Sequence, residues 1–245
     1  SAEAGAEGAL TAAITVVAPS KTVDGNDLTA DNLTKVEILR DGEVIATETP
    51  APGATINYTD NEVTTGTHTY QAIPYDAAGE AGQKSEKVSV YVGEDELADV
   101  ENVVAQATAS AITFTWDAAT GLNGGYVNAA NVTYEVYALE IEQTYFGNYL
   151  VEAEVLATVQ GATTATIDYN TLEGEQQYVY FGVKATNAAG STDATTNYTY
   201  VIVGAPDELP IEEGFAGSAL HYNWDTNGGL GVDNNSSDGD GVALK

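Results

Sequence analysis

The chain of 245 residues contains no cysteine and no methionine, and it has only two histidines and seven lysines and arginines. Without cysteine there is neither a disulfide framework nor thiol chemistry. No apolar run approaches the roughly 18 residues of a membrane-spanning helix, so we expect no membrane insertion. His68 and His221 give little material for a serine–histidine–carboxylate arrangement, and no nucleophile-elbow motif occurs. We therefore predict a protein that is not an enzyme.

Acidic residues outnumber basic residues by 37 to 7, which gives a formal net charge of −30. Such a chain repels phosphate backbones and anionic membrane surfaces, so nucleic acid is not an expected partner. Two explanations of the charge remain open. One is solubility, because strong like charge keeps a protein monomeric, and the other is binding of divalent cations. The first is the simpler one, and we expect a monomer.

Four short segments recur along the chain at a constant spacing of 111 residues. Chance matches would not keep one spacing over four blocks, so one supersecondary unit occurs twice. The segments are residues 43–47 and 154–158, 54–58 and 165–169, 76–79 and 187–190, and 92–93 and 203–204.

The residue pattern within each unit predicts short strands. Residues 12–17 and 111–116 are rich in β-branched and aromatic side chains, and residues 35–40 and 132–137 alternate with period two. Asp41-Gly42 between two such runs is a hairpin turn. No stretch shows sustained helical periodicity, so we predict an all-β protein built of sandwiches. Asp95-Glu96-Leu97 and Asp207-Glu208-Leu209 follow the two units as short acidic linkers, which restrict hinge motion.

A strand ending in Trp116, a following strand at 134–137 and a Tyr-rich alternation that closes at 187–190 together resemble the fibronectin type III domain. The resemblance covers about residues 10–205. It implies immunoglobulin-like β-sandwiches in tandem, in which Trp116 fills the core between the sheets. Val16 stands at the corresponding place in the first unit and implies a smaller filler there.

The predicted domains are residues 1–94 and 98–205. Residues 100–105 supply a first strand to the second domain, whereas residues 1–9 are rich in Gly and Ala. We therefore predict that the first domain lacks most of its first strand, which leaves a sheet edge exposed.

Residues 209–215, together with Trp224 and residues 238–244, resemble the opening of a jelly roll of the cleaved-adhesin and MAM-like kind. We predict that residues 209–245 are the incomplete start of a third β module. The resemblance extends to secreted and surface multidomain proteins of Gram-negative gut bacteria, and it implies an extracellular or cell-surface location. It also implies a structural Ca²⁺ with Glu213, Asp238 and Asp240 as ligand candidates. The alternative is a solvated turn rich in Asx and Gly, which an incomplete module favours.

The β-hairpin of the second unit is 11 residues longer than that of the first, and it contains Tyr145, Phe146 and Tyr149. Exposed aromatic rings beside acids commonly form carbohydrate or peptide surfaces, so these residues are the best ligand-site candidate. The alternative is that the rings pack across the lengthened hairpin.

Three functions fit these observations. The first is a non-catalytic extracellular spacer or interaction pair within a larger protein. The second is an adhesin-like module that binds carbohydrate or protein. The third is an accessory part of a hydrolase; paired carboxylates would suit glycoside hydrolysis, but small sandwiches rarely supply the cleft it needs.

Overall fold

In a computed structural model, the protein is described over residues 1–205 and over the paired backbone segments 232–233 and 243–244. The described residues form antiparallel strands and two single-turn 3-10 helices, Ala6–Gly8 and Ala129–Asn131. None of these helices is long and apolar enough to cross a bilayer. The prediction of an all-β protein is confirmed.

The first domain is a sandwich of a three-stranded and a four-stranded sheet. Its strands are β1 (Ala2–Ala4), β2 (Ala12–Val17), β3 (Lys35–Arg40), β4 (Glu43–Glu48), β5 (Thr55–Asp60), β6 (Gly66–Tyr75) and β7 (Val88–Val92). The sheet orders are β1-β2-β5 and β4-β3-β6-β7. Asp41 and Gly42 both have positive φ, 53° and 93°, which confirms the predicted turn between β3 and β4.

The second domain repeats this architecture. Its strands are β8 (Val104–Ala107), β9 (Ala111–Thr115), β10 (Thr133–Thr144), β11 (Gly147–Gln160), β12 (Thr164–Asp168), β13 (Gln177–Thr186) and β14 (Tyr198–Val203). The sheet orders are β12-β9-β8 and β11-β10-β13-β14. Further along, β15 (Val232–Asp233) pairs with β16 (Ala243–Leu244). The tandem sandwich predicted from the sequence is confirmed.

Alternation along the strands separates a buried face from an outer face. On β13, Phe181 and Val183 lie in the core, whereas Tyr178 faces outward. Trp116 is buried between the sheets, and its ring lies 5.5 Å from that of Tyr134. The implied role of Trp116 as a core filler is therefore confirmed.

The position of Val16 differs from the expectation. Val16 pairs with Ile56, and Ile167, the repeat counterpart of Ile56, pairs with Ile112. The sheet register thus makes Val16 the counterpart of Ile112. The counterpart of Trp116 is Ser20, which lies beyond the end of β2 and is exposed. Val16 does not replace the tryptophan, because cross-strand pairing and not the distance along the chain sets the register.

The first domain does have a first strand, so the prediction that it lacks most of this strand is corrected. Ala2–Ala4 pairs with β2, and the Ser1 amino group donates a hydrogen bond of 2.8 Å to the Thr15 carbonyl oxygen. Backbone groups make these bonds, so an Ala-rich segment pairs as well as any other. The strand is short, and beyond it Val17 remains exposed at the sheet edge.

Candidate functional site

The β10–β11 hairpin extends past the sheet as a two-stranded arm. Pairing of β10 with β13 ends at Leu139 and Tyr180, whereas pairing of β10 with β11 continues to Thr144 and Gly147. The corresponding hairpin of the first domain has strands of six residues each. Residues 140–151 therefore form an arm without a third strand, which we call the hairpin arm.

Two of the three candidate aromatic residues form the tip of the hairpin arm. Tyr145 and Phe146 are 97% and 87% exposed, and their rings meet edge to face with centroids 5.4 Å apart. Thr144 Oγ1 accepts a hydrogen bond from the Phe146 N–H and donates one to the Gly147 carbonyl oxygen, which fixes the turn. Tyr149 lies on β11 opposite Glu142 and is half exposed. The rings touch each other but remain open to solvent, and their role in binding stays a prediction.

The candidate metal ligands Glu213, Asp238 and Asp240 lie outside the described residues. Within residues 1–205 no group of three or more histidine or acidic side chains could hold a metal ion. In the acidic loop after β2, Asp27 is paired with Lys21 at 2.7 Å.

His68 is held by acceptors on both ring nitrogens. Nδ1 lies 2.7 Å from Asp41 Oδ2, and Nε2 lies 2.9 Å from the Thr64 carbonyl oxygen. Burial raises the pKa of Asp41, but hydrogen bonds from His68 and Thr69 outweigh it, so the pKa of Asp41 is lowered overall. A ring whose two nitrogens both face acceptors is not placed to take a proton from the nearby Thr64 hydroxyl. This contact ties the β3–β4 turn to β6 and has the geometry of a structural link.

The linker between the domains carries a buried carboxylate. Asp95 has no solvent exposure. Its Oδ2 accepts hydrogen bonds from the backbone N–H groups of Asn123 and Gly125, at 2.8 and 2.9 Å, and its Oδ1 accepts one from the Asn123 side chain at 2.8 Å. Burial raises the pKa of Asp95, but these hydrogen bonds outweigh it, so its pKa is lowered. Asp95 is therefore held as a carboxylate.

Backbone contacts complete this junction. The Asp95 N–H donates to the Tyr126 carbonyl oxygen, and the Asn187 side chain donates to the Asp95 carbonyl oxygen, both at 2.8 Å. A Cβ at Gly121 would lie 2.5 Å from Asp95 Oδ2, and one at Gly125 would lie 2.4 Å from the Tyr91 ring, so both positions need glycine. Two loops of the second domain thus enclose the linker.

No family model matches the sequence, and no curated protein matches it. Among solved structures, the chain is similar to the central fibronectin-III array of RIM-binding protein, with 12% identity over 86% of this chain and 69% of that chain, at a TM-score of 0.28. It is also similar to the fibronectin(III)-like modules of CbhA from Clostridium thermocellum, with 18% identity over 83% of this chain and 87% of that chain, at a TM-score of 0.28. TM-scores this low carry no argument, and the fold is established by the strand order of the sheets.

Proposed function

We propose that the two domains form a non-catalytic spacer within a larger secreted or surface-anchored protein. The observation that carries this proposal is the junction at Asp95. A flexible tether would leave the linker in water, whereas here the linker carboxylate is buried and hydrogen-bonded. The spacer would hold what precedes and follows it at a fixed separation.

The junction resists bending because its hydrogen bonds are charge-assisted and buried. A hydrogen bond to a charged group contributes about 1.5–3 kcal/mol, and a buried group left without a partner costs about as much. Asp95 accepts three such bonds. Opening the joint would break these bonds together and also release the contacts to Tyr126 and Asn187.

Replacing Asp95 by alanine is expected to turn a fixed joint into a mobile one. The chain has no native cysteine, so cysteines at Thr47 and Thr158, equivalent exposed positions of the two domains, accept spin labels without background. Electron–electron resonance should give one narrow distance distribution for the otherwise unchanged chain and a broad one for Asp95→Ala. Asp99→Ala, a change of an exposed acid in the same linker, should leave it narrow. A broad distribution before any change at Asp95 contradicts the spacer proposal.

The joint should also loosen in acid. The folded pKa of Asp95 is lowered relative to the ordinary aspartate value of about 3.9. Its stabilisation is therefore complete above that value and is lost as the pH falls through the folded pKa. The same label pair should report broadening at pH 3 relative to pH 7, with circular dichroism showing that the domains remain folded. Asp95→Asn, which cannot titrate, should give the same distribution at both pH values, and broadening of that variant in acid would point to other groups.

A second candidate function is contact of the hairpin arm with a protein or glycan, which the exposure of Tyr145 and Phe146 favours. Because these rings touch little else, the double change Tyr145→Ser and Phe146→Ser should alter the free energy of unfolding by less than about 0.5 kcal/mol. It should abolish any specific binding found on a glycan array or in a pull-down. Val155→Ser, a change of an exposed apolar residue on β11 away from the tip, is the matched control. Binding that survives the double change excludes the tip as the contact.

A further inference from the structure

A continuous row of four tyrosine rings lies on the outer face of β13 and β14. The rings follow the order Tyr178, Tyr200, Tyr180, Tyr198, and thus alternate between the two strands. Successive centroids are 5.3, 6.0 and 6.0 Å apart, with interplanar angles of 70°, 55° and 65°. Pairing of Tyr180 with Tyr200 and of Tyr178 with Ile202 creates this arrangement, because residues two apart on a strand share a face. We call these four residues the tyrosine row.

The tyrosine row is open to solvent. Tyr178, Tyr198, Tyr200 and Ile202 are each more than half exposed. β14 is the edge strand of its sheet, and no described element covers this face. The outer face of an antiparallel sheet is ordinarily polar, and a contiguous exposed apolar patch marks a binding surface.

The first domain shows that the fold does not need these rings. Thr67 pairs with Tyr91 and Thr69 pairs with Ser89, which is the same register, 111 residues earlier, as the two pairs that build the row. Tyr178, Tyr180 and Tyr200 therefore correspond to two threonines and a serine. The same two strands form in both domains, so the aromatic face is a property of the second domain alone.

We propose that the tyrosine row is a platform for a neutral linear polysaccharide, a function that goes beyond the spacer role. Tyrosine presents an apolar ring face to the C–H groups of a sugar and a hydroxyl that both donates and accepts hydrogen bonds. A row that follows neighbouring strands offers successive rings to successive sugar units. A chain-like ligand suits this geometry better than a compact one.

Charge selects a neutral ligand. The chain carries a net charge of −30, which repels polyanions. Lys184 is the only basic residue between positions 98 and 205, and Glu152 pairs with it at 3.1 Å. No free cation of the second domain is therefore left to bind an acidic glycan, and the row itself carries no carboxylate to bind a cation.

The test uses residues that the first domain already accepts at these positions. The double variant Tyr180→Thr and Tyr200→Ser, in the full chain, should fold, as checked by circular dichroism and thermal unfolding. Affinity electrophoresis in gels that contain barley β-glucan, xylan or galactomannan should retard the unchanged chain in at least one gel. The double variant should lose this retardation, with the dissociation constant raised about tenfold or more. Tyr178→Ala, at the exposed end of the row, should weaken binding in the same gel and serves if the double variant unfolds.

The hairpin-arm variant Tyr145→Ser and Phe146→Ser is the control and should be retarded as strongly as the unchanged chain. Three results overturn the proposal: no retardation in any of the three gels, equal retardation of the row variants, or retardation lost only in the hairpin-arm variant. A dimer in sedimentation experiments that the row variants abolish, without glycan binding, also overturns it and assigns the row to a second copy. None of these results bears on the spacer role, which depends on the junction.

Discussion

Replacing Arg40 by methionine should lower the free energy of unfolding of the first domain by about 3 kcal/mol, because it leaves a carboxylate buried without its partner. Asp60 is buried, and its Oδ2 accepts a hydrogen bond of 2.7 Å from Arg40 and one of 3.1 Å from the Tyr70 hydroxyl. Arg40 also donates to the Glu62 carbonyl oxygen at 2.8 Å. Burial and the nearby Asp60 charge raise the pKa of Tyr70, so its hydroxyl stays a donor. Differential scanning calorimetry of the full chain should show the transition of the first domain shifted to lower temperature.

Two variants separate the loss of charge pairing from the loss of a hydrogen bond. Tyr70→Phe removes one donor to Asp60 but keeps Arg40, and should cost about 1 kcal/mol. Replacing both Arg40 by methionine and Asp60 by leucine removes the charges together, and should cost less than Arg40→Met alone. If Arg40→Met leaves the first transition unchanged, Asp60 is not held by this pair.

Phe114→Ala should destabilise the second domain by about 3–5 kcal/mol, the cost of deleting a buried aromatic side chain. Phe114 is fully buried, and its ring meets that of Phe181 edge to face with centroids 5.0 Å apart. By sheet register its counterpart in the first domain is Ala18, and the counterpart of Phe181 is Tyr70. The second domain thus fills with two rings a space that the first domain fills with one ring and the Asp60 network.

Urea unfolding followed by tryptophan fluorescence measures this effect in the second domain, because Trp116 is the only tryptophan in residues 1–205. Val155→Ala, at an exposed position of β11, is the control and should change stability by less than about 0.5 kcal/mol. A loss below about 1 kcal/mol for Phe114→Ala would mean that the core closes around the cavity.

The strands, the turns and the repeat could be predicted because their signals are local. Period-two alternation and the Asp41-Gly42 turn depend on neighbouring residues only. The misplacement of Val16 has the opposite origin, since register is decided by pairing with a strand about 40 residues away. The first strand was missed because Ala2–Ala4 pairs through its backbone and has no distinctive side-chain pattern.

The sites show the same division. The lengthened hairpin was visible as an insertion, and the exposure of Tyr145 and Phe146 follows from it. Asp95 looks in the sequence like any solvated linker acid, and what buries it comes from loops 28 to 92 residues further on. The glycines around Asn123 were the available signal. The tyrosine row could have been found by comparing the two repeats position by position, where threonine changes to tyrosine on β13.

The hairpin arm has a consequence for how the chain can be varied. The turn at Tyr145 and Phe146 contacts nothing beyond the arm, while β10 and β11 are anchored at their other ends by β13 and by each other. Loop tips of this kind accept inserted sequence more readily than any core position. The arm is therefore the natural place for related chains to differ in length and composition, and for a foreign peptide to be displayed on the sandwich without altering its core.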